Sequence, residues 1–368
     1  SVQMSWVKNP DLSPDMRAER KRTLTEQLGF AVLNRRLRRM ARADTPPFIG
    51  AYAGSDDQFR SAKITTLSLN TEPGQWRQAL SAAEQEQRRI VQYGIRQDEL
   101  DREINEVRSR LTAAATSSRR TTQIADDIVG TLYDREVFTS PSEDLEMFDQ
   151  DTKGLTAEKV NAALKAAFLA SGPLVFVSTP TGIDGGEQAV RTVLNQSQQV
   201  AVAAPDASQA KTWTYASFGA PGKVVDHTTV KDIGAEFVRF ENGVRLTVLP
   251  TTYMHDQVLV RVRVGHGVLD LPRDRVTPMW AAAGAFAEGG LKELSAEEIE
   301  RSLSSRIYGA AFATDDDAFE LQGRTRPQDF DVQMQVLSAY LSQPGYRPEA
   351  FQRMRTYGGT LQDQFEAT

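Results

Sequence analysis

The stretch FVRFENGVRLTVLPTTYMHDQVLVRVRVGHG, Phe237 to Gly267, reads as the opening of a domain, yet it lies two-thirds of the way along the 368-residue chain. Phe237, Val238 and Phe240 lead into Glu241-Asn242-Gly243. Asn-Gly is the strongest short hairpin signal, because both residues accept the positive φ a tight turn needs. Val244 to Leu249 forms the return strand. In the next strand Val258, Val260, Val262 and Val264 share one face while Leu259, Arg261 and Arg263 share the other, the period-two pattern of a half-buried strand. A second beginning implies an earlier domain, and 368 residues make two domains the natural expectation.

Working outward, the first two-thirds alternates helical and strand patterns. SVQMSWV is strand-like. Ser13-Pro14-Asp15 reads as a helix start with Ser as N-cap and Pro at the first helical position. Leu24, Leu28, Phe30, Leu33, Leu37 and Met40 then form a broad apolar stripe with a phase slip at Gly29. Pro46-Pro47 ends that helix. FIGAYAG (Phe48–Gly54) and AKITTLSLN (Ala62–Asn70) read as strands. Helices follow from Pro73 to Tyr93, across Leu100, Ile104, Val107 and Leu111, and from Thr121 to Tyr133. Ser140-Pro141 reads as a loop, Thr156 as the cap of a helix with Val160, Leu164 and Phe168, and LVFVSTP (Leu174–Pro180) as a buried strand. From Gln198 to Thr229 Ala, Ser, Gln, Pro and Gly dominate, which marks a linker, although Trp213, Tyr215 and Phe218 suggest that it is partly packed. After the opening hairpin come a helix at Met279–Ala287, a capping box at Ser295 and Glu298, two strands in 310–323, and helices at 327–341 and 348–365. Helices mixed with antiparallel strands make the class α+β. The expected division is residues 1–198, a linker at 199–232, and 233–368.

Composition narrows the chemistry. A net charge of −6 argues against a nucleic-acid partner, and the absence of cysteine removes disulfides, thiol nucleophiles and Cys-ligated zinc together. No apolar run is long enough to span a membrane, and no signal peptide is present. A chain that begins at Ser1 inside a strand pattern and ends inside a helical one reads as a fragment of a longer protein.

The order of these segments resembles the pitrilysin/insulinase-like zinc metallopeptidase family (inverzincins). LNRRLRRMAR (Leu33–Arg42) with PPFIGAYAG (Pro46–Gly54) resembles the helix-then-strand segment in the second domain of a lobe. VQYGIRQDELDREINEVRSRL (Val91–Leu111) resembles the family's Gly-x-x-x-x-Glu-Leu helix junction. LTAEKVNAALKAAF (Leu155–Phe168) with LVFVSTP resembles its closing helix and strand. FENGVRLTVLP resembles the hairpin that opens each lobe, and AEGGLKELSAEEI (Ala287–Ile299) the segment after the metal-binding helix. The resemblance implies two lobes, each of two related α+β domains, closing over a peptide chamber. Residues 1–198 would be the second, non-catalytic domain of the first lobe. Residues 233–368 would be the start of the second lobe, its third domain, with the zinc motif lost and the domain truncated.

The family's reaction needs His-x-x-Glu-His: two histidines and a distal Glu hold zinc, and the Glu between the histidines is the general base. The chain has three histidines, His227, His255 and His266, and no pair has that spacing. In MWAAAGAFAEGG (Met279–Gly290) the corresponding positions fall on Trp280, Ala283 and Gly284, which cannot bind zinc or accept a proton. No catalytic or metal residue is therefore expected in this fragment, and zinc is expected in the parent protein, on a catalytic domain upstream. A metal site from His255 and His266 is weighed against ordinary loop histidines, and the latter is preferred. Asp315–Asp317 reads as a solvated turn rather than a calcium loop. The basic residues Arg17, Arg20, Lys21, Arg22, Arg35, Arg36, Arg38, Arg39 and Arg42 read as a solvated helix face paired with acids rather than a phosphate site. DELDREINE (Asp98–Glu106) reads as exposed surface. The resemblance also implies that Arg39, Arg42 and Phe48 occupy the segment that elsewhere in the family holds substrate backbone, with Phe48 where that segment has Tyr.

The implied parent is a periplasmic or exported bacterial zinc metalloendopeptidase that encloses peptides. The alternative is a catalytically inactive relative acting as scaffold or partner subunit. Expected partners are peptide substrate, the missing first and fourth domains or a second copy, with no nucleic acid and no membrane span.

Overall fold

The computed structural model describes residues 1–43, 45–117, 119–205, 211–253, 256–274 and 276–366. Its first sheet has the order β2-β3-β1-β4, built from β1 (Val2–Lys8), β2 (Gly50–Asp57), β3 (Lys63–Asn70) and β4 (Ser171–Val177), every pair antiparallel. In β1 the alternation is literal. Val2, Met4 and Trp6 are buried against helices, while Gln3, Ser5 and Val7 line the opposite, open face.

Helix α1 (Arg17–Ala41) starts later than Ser13 suggests. Met16 is the N-cap residue, in extended conformation and with no side-chain cap, and Ser13 instead donates its N–H to Asp11. The phase slip at Gly29 has a packing cause. A Cβ there would come within 3.2 Å of Val160 and Leu164 on α6 (Ala157–Phe168), so the missing side chain lets the two helices cross closely. Helix α2 (Trp76–Tyr93) ends at Gly94, which adopts φ +73°, and α3 (Gln97–Thr116) begins three residues on.

The structure corrects the reading of charge here. Arg35 and Arg36 are not a solvated face, nor are Glu99 and Glu103 exposed surface; all four are buried. Arg36 forms a two-pronged pair with Glu99 (2.9 and 2.6 Å) and donates to the Gly94 carbonyl at 3.1 Å. Arg35 pairs with Glu103 at 2.5 Å and Glu106 at 2.6 Å. The expectation of acidic partners holds; the expectation of solvation does not, because α3 packs directly on α1.

Helix α4 (Thr121–Asp134) buries no residue. The loop expected at Ser140-Pro141 is a helix start: Ser140 accepts from the Glu143 N–H, Pro141 is the first residue, and α5 runs Pro141–Thr152. Strand β4 lies at the sheet edge with Leu174 and Phe176 largely exposed, so LVFVSTP is not a buried strand. A further helix, α7 (Gly186–Gln199), packs on α2.

Residues 199–232 divide between the two halves. The Val202 carbonyl accepts from Tyr93 Oη and the Ala203 carbonyl from Arg89, whereas Tyr215 is buried in a second core. The last part is β5 (Val224–Val230), paired with β6 (Ala235–Phe240), which pairs with β7 (Arg245–Val248) through the Asn242-Gly243 turn. A third sheet has the order β8-β10-β9, from β8 (Val258–Val264), β9 (Ala311–Thr314) and β10 (Phe319–Thr325). Helices α8 (Met279–Glu288), α9 (Ala296–Ser302), α10 (Phe330–Ser342) and α11 (Pro348–Glu366) complete this half. Ser295 and Glu298 form the capping box, with Ser295 Oγ accepting from the Glu298 N–H at 3.2 Å. Leu291, Leu294, Leu321, Val336 and Leu337 form its core. No sheet among the described residues runs through both cores, and the class is α+β.

Candidate functional site

Helix α8 carries Trp280, Ala283 and Gly284, the positions to which the resemblance points for a metal motif, and its contacts are packing contacts. Ala281 is fully buried. A Cβ on Gly284 would overlap Met354 of α11, and a Cβ on Gly358 would come within 2.6 Å of the Trp280 ring. Trp280, Ala283 and Gly284 offer no oxygen, nitrogen or sulfur ligand that fits zinc. Among the described residues no three His, Cys, Asp or Glu side chains converge on one point. His227 hydrogen-bonds Glu236 across β5 and β6 at 2.7 Å, and His266 precedes a 3-10 turn at Gly267–Asp270. His255 lies outside the described residues. Asp315 to Asp317 form the β9–β10 turn, with Arg263 bound to Asp317 at 2.5 Å and to Glu320 at 2.8 Å.

The three residues singled out for substrate contact are not brought together. Phe48 is buried in the first core, and Arg39 is exposed. Arg42 reaches across to the second half, 3.2 Å from Glu288 and 3.5 Å from Glu300. Burial alone would lower the pKa of its guanidinium, but the two carboxylates outweigh it and hold the charge more firmly. Arg35 approaches Glu300 at 3.6 Å and Arg353 binds Glu288 at 3.0 Å, so this is a charged junction between the two cores.

A cleft of about 1290 Å³ lies elsewhere, between the N-terminal half of α1, the outer edge of β2, residues 11–15 and the end of α4 at Tyr133–Glu136. Strand β2 has a sheet neighbour on one side alone. At Ala53 the outward edge is taken by Asn34, whose carboxamide accepts the Ala53 N–H at 2.7 Å and donates to its carbonyl at 2.8 Å. The side chain thus mimics a strand partner. Backbone groups alternate sides along an antiparallel strand, so those of Ser55 and Asp57 also face away from β3, beyond Asn34 and toward the cleft. An unpaired edge beside a cleft can accept an extended backbone. On the open face of the same sheet a smaller hollow of about 400 Å³ is lined by Ser5, Ile64, Thr66, Leu174 and Phe176. The strand pattern of FIGAYAG was readable from sequence; that it is an edge strand was not, since edge and central strands can share one pattern.

No sequence-family model matches the chain, and no curated protein matches it by sequence. By structure, a mutant of the ferredoxin protease FusC, in complex with Arabidopsis ferredoxin, aligns over 95% of the chain with TM-score 0.53 and 14% identity. The fold is that of the pitrilysin/insulinase peptidases. The periplasmic protease PqqL from Escherichia coli aligns over 93% of the chain, with TM-score 0.50 and 14% identity. The chain spans 39% and 38% of those two proteins' lengths. Alignments of that extent take in both cores. No helix among the described residues is long and apolar enough to cross a membrane.

Proposed function

We propose that this chain is the non-catalytic central portion of a two-lobed zinc metalloendopeptidase, forming part of the wall of a chamber that encloses peptides. Residues 1–198 are assigned to the second domain of the first lobe and 233–368 to the start of the second lobe. The observation that carries the reading is the pitrilysin-type fold across 95% of the chain. The free β2 edge beside the large cleft supports it, because strand addition recognises peptide backbone with little demand on sequence. Fold by itself hosts many functions, so the site has to carry its share of the argument.

Within this reading α8 is a packing element of the chamber wall, and Arg42 belongs to the junction that sets how the two halves meet. Arg39, exposed on α1, is the one of the three proposed contact residues that belongs to neither the first core nor the junction, and it does not line the β2 cleft. The chain alone neither holds catalytic zinc nor cleaves peptides, the catalytic domain lying upstream, and the parent works in the periplasm or outside a bacterial cell. The test uses the parent protein with a short unstructured peptide, with and without a chelator. Chelator-sensitive cleavage is expected. Absent or chelator-insensitive cleavage turns the assignment to a scaffold subunit, and rapid digestion of a folded globular protein removes the chamber.

A further inference from the structure

The walls of the β2 cleft carry more acid than base: eight carboxylates against five cationic side chains. Three of the cations are engaged within the wall. Arg20 binds Asp15, Arg22 binds Asp11 and Glu19, and Lys63 binds Glu26 at 3.0 Å. Arg60 donates to the Leu12 carbonyl at 3.2 Å. Among the described residues Asp56, Asp57, Asp134 and Glu136 form no close ion pair, although Asp57 accepts the Arg60 backbone N–H and Glu136 adds to the field that holds the Arg20 charge; Arg135 and Arg60 are the other cations near them.

Acids on a surface are ordinarily solvated and need no ligand. These four differ in where they stand. Asp56 and Asp57 end the β2 edge, where the backbone of Ser55 and Asp57 faces the cleft, and Asp134 and Glu136 stand at the end of α4 that lines the same cleft. Alternation puts Asp56 on the same face of β2 as Tyr52, which is largely exposed, and Tyr133 beside Asp134 is more exposed still. A strand added to this edge would set its side chains opposite those of β2, within reach of one another.

We propose that the occupant of the β2 cleft is an extended cationic peptide segment, with Lys or Arg facing Asp56 and the Asp134–Glu136 wall and apolar side chains against Tyr52 and Tyr133. The proposal rests on the reading of the β2 edge as a peptide-binding surface and adds the charge class of the peptide. Unpaired backbone groups require an extended chain, the excess of carboxylates selects its sign, and the two tyrosines favour interspersed apolar residues.

The experiment titrates three short unstructured peptides of equal apolar content, one lysine-rich, one neutral and one glutamate-rich, into the 368-residue chain, with hydrogen exchange followed at Ser55 and Asp57. The lysine-rich peptide is expected to bind about tenfold more tightly than the neutral one at low salt, and the glutamate-rich one more weakly than both. That advantage should shrink as salt screens the exposed charges. The triple variant Asp56→Asn, Asp134→Asn, Glu136→Gln should bring the lysine-rich peptide to the level of the neutral one while both still protect the Ser55 and Asp57 amides. Equal affinities with those amides protected would overturn the charge assignment and leave the peptide-binding edge standing. Lysine-rich binding without protection at Ser55 and Asp57 would overturn the proposed location. If no peptide protects those amides, the edge reading itself fails, and the proposal with it.

Discussion

Arg36 anchors a buried ion pair in the first core. Its guanidinium is buried and reaches Glu99 at 2.6 Å, and Glu86 lies 3.7 Å away. Removing one member of a buried pair leaves the other charged and unsolvated, whereas removing both leaves a hole that apolar atoms can fill. Arg36→Ala should therefore destabilise the chain by about 3–5 kcal/mol, and the double variant Arg36→Leu with Glu99→Leu by clearly less, measured by urea unfolding. A double variant as unstable as the single one would show that the pair does more than neutralise itself. The same pair sets a pH dependence. Burial would raise the pKa of Glu99, but Arg36 outweighs it and the folded value lies below the ordinary one. With the folded pKa depressed, the stabilisation is fully present above the unfolded pKa and is lost as pH falls through the folded one. Unfolding followed from about pH 6 down to about pH 3 should show this loss, and the loss should be smaller in Glu99→Gln.

At the level of elements, two helix contacts depend on an absent side chain. Where α8 crosses α11, Gly284 faces Met354 with no room for a Cβ. Gly284→His should destabilise the second half by about 1–3 kcal/mol through overpacking, while Ala283→His, exposed on the same helix, should be nearly neutral. Thermal unfolding of the two variants separates them, and equal behaviour would mean that α11 yields easily. At the α2–α3 junction, Gly94 holds φ +73° with the Asn161 side chain against it, and Asn161 in turn accepts the Ile95 N–H at 2.7 Å. Gly94→Ala strains the turn and displaces that amide together. A melting temperature unchanged in Gly94→Ala would contradict this account; a loss of about 1–3 kcal/mol is expected.

For the whole molecule, the charged junction is a link between the two cores, beside the hydrogen bonds from Thr116 to Asp256 at 2.8 Å and from Thr356 to Glu72 at 3.2 Å. Arg42 is half-buried between Glu288 and Glu300, and such pairs weaken when salt screens them. Arg42→Ala should loosen the junction without unfolding either core, so protease should cut within residues 199–232 several-fold faster than in the unchanged chain. High salt should produce a similar increase in the unchanged chain and little further increase in the variant. Cutting rates independent of both would show that apolar contacts hold the halves together.

Much of the fold was legible because its signals are local. The Asn242-Gly243 turn, the capping box at Ser295 and Glu298, the Val258–Val264 alternation and the α8 span each depend on neighbours a few residues away. Residue type alone also decides that Trp280, Ala283 and Gly284 cannot hold zinc, since donor chemistry needs no tertiary structure to be read. What it misplaced depended on distant contacts. Ser140-Pro141 is the exception, because the capping box it forms with Glu143 is a local signal that the loop reading passed over. LVFVSTP is apolar enough for a central strand, but β4 has a neighbour on one side. The charges of α1 and α3 look solvated until the two helices meet, and a guanidinium and a carboxylate then lose water to each other. The β2 cleft is the clearest case: β2 comes from one end of the first half, Tyr133 and Glu136 from another, and an edge exists only once every other strand has found its partner. Local patterns, set by period and turn geometry, belonged to the sequence. Which faces and edges stayed open was decided by tertiary packing, because exposure is a relation between segments far apart in the chain.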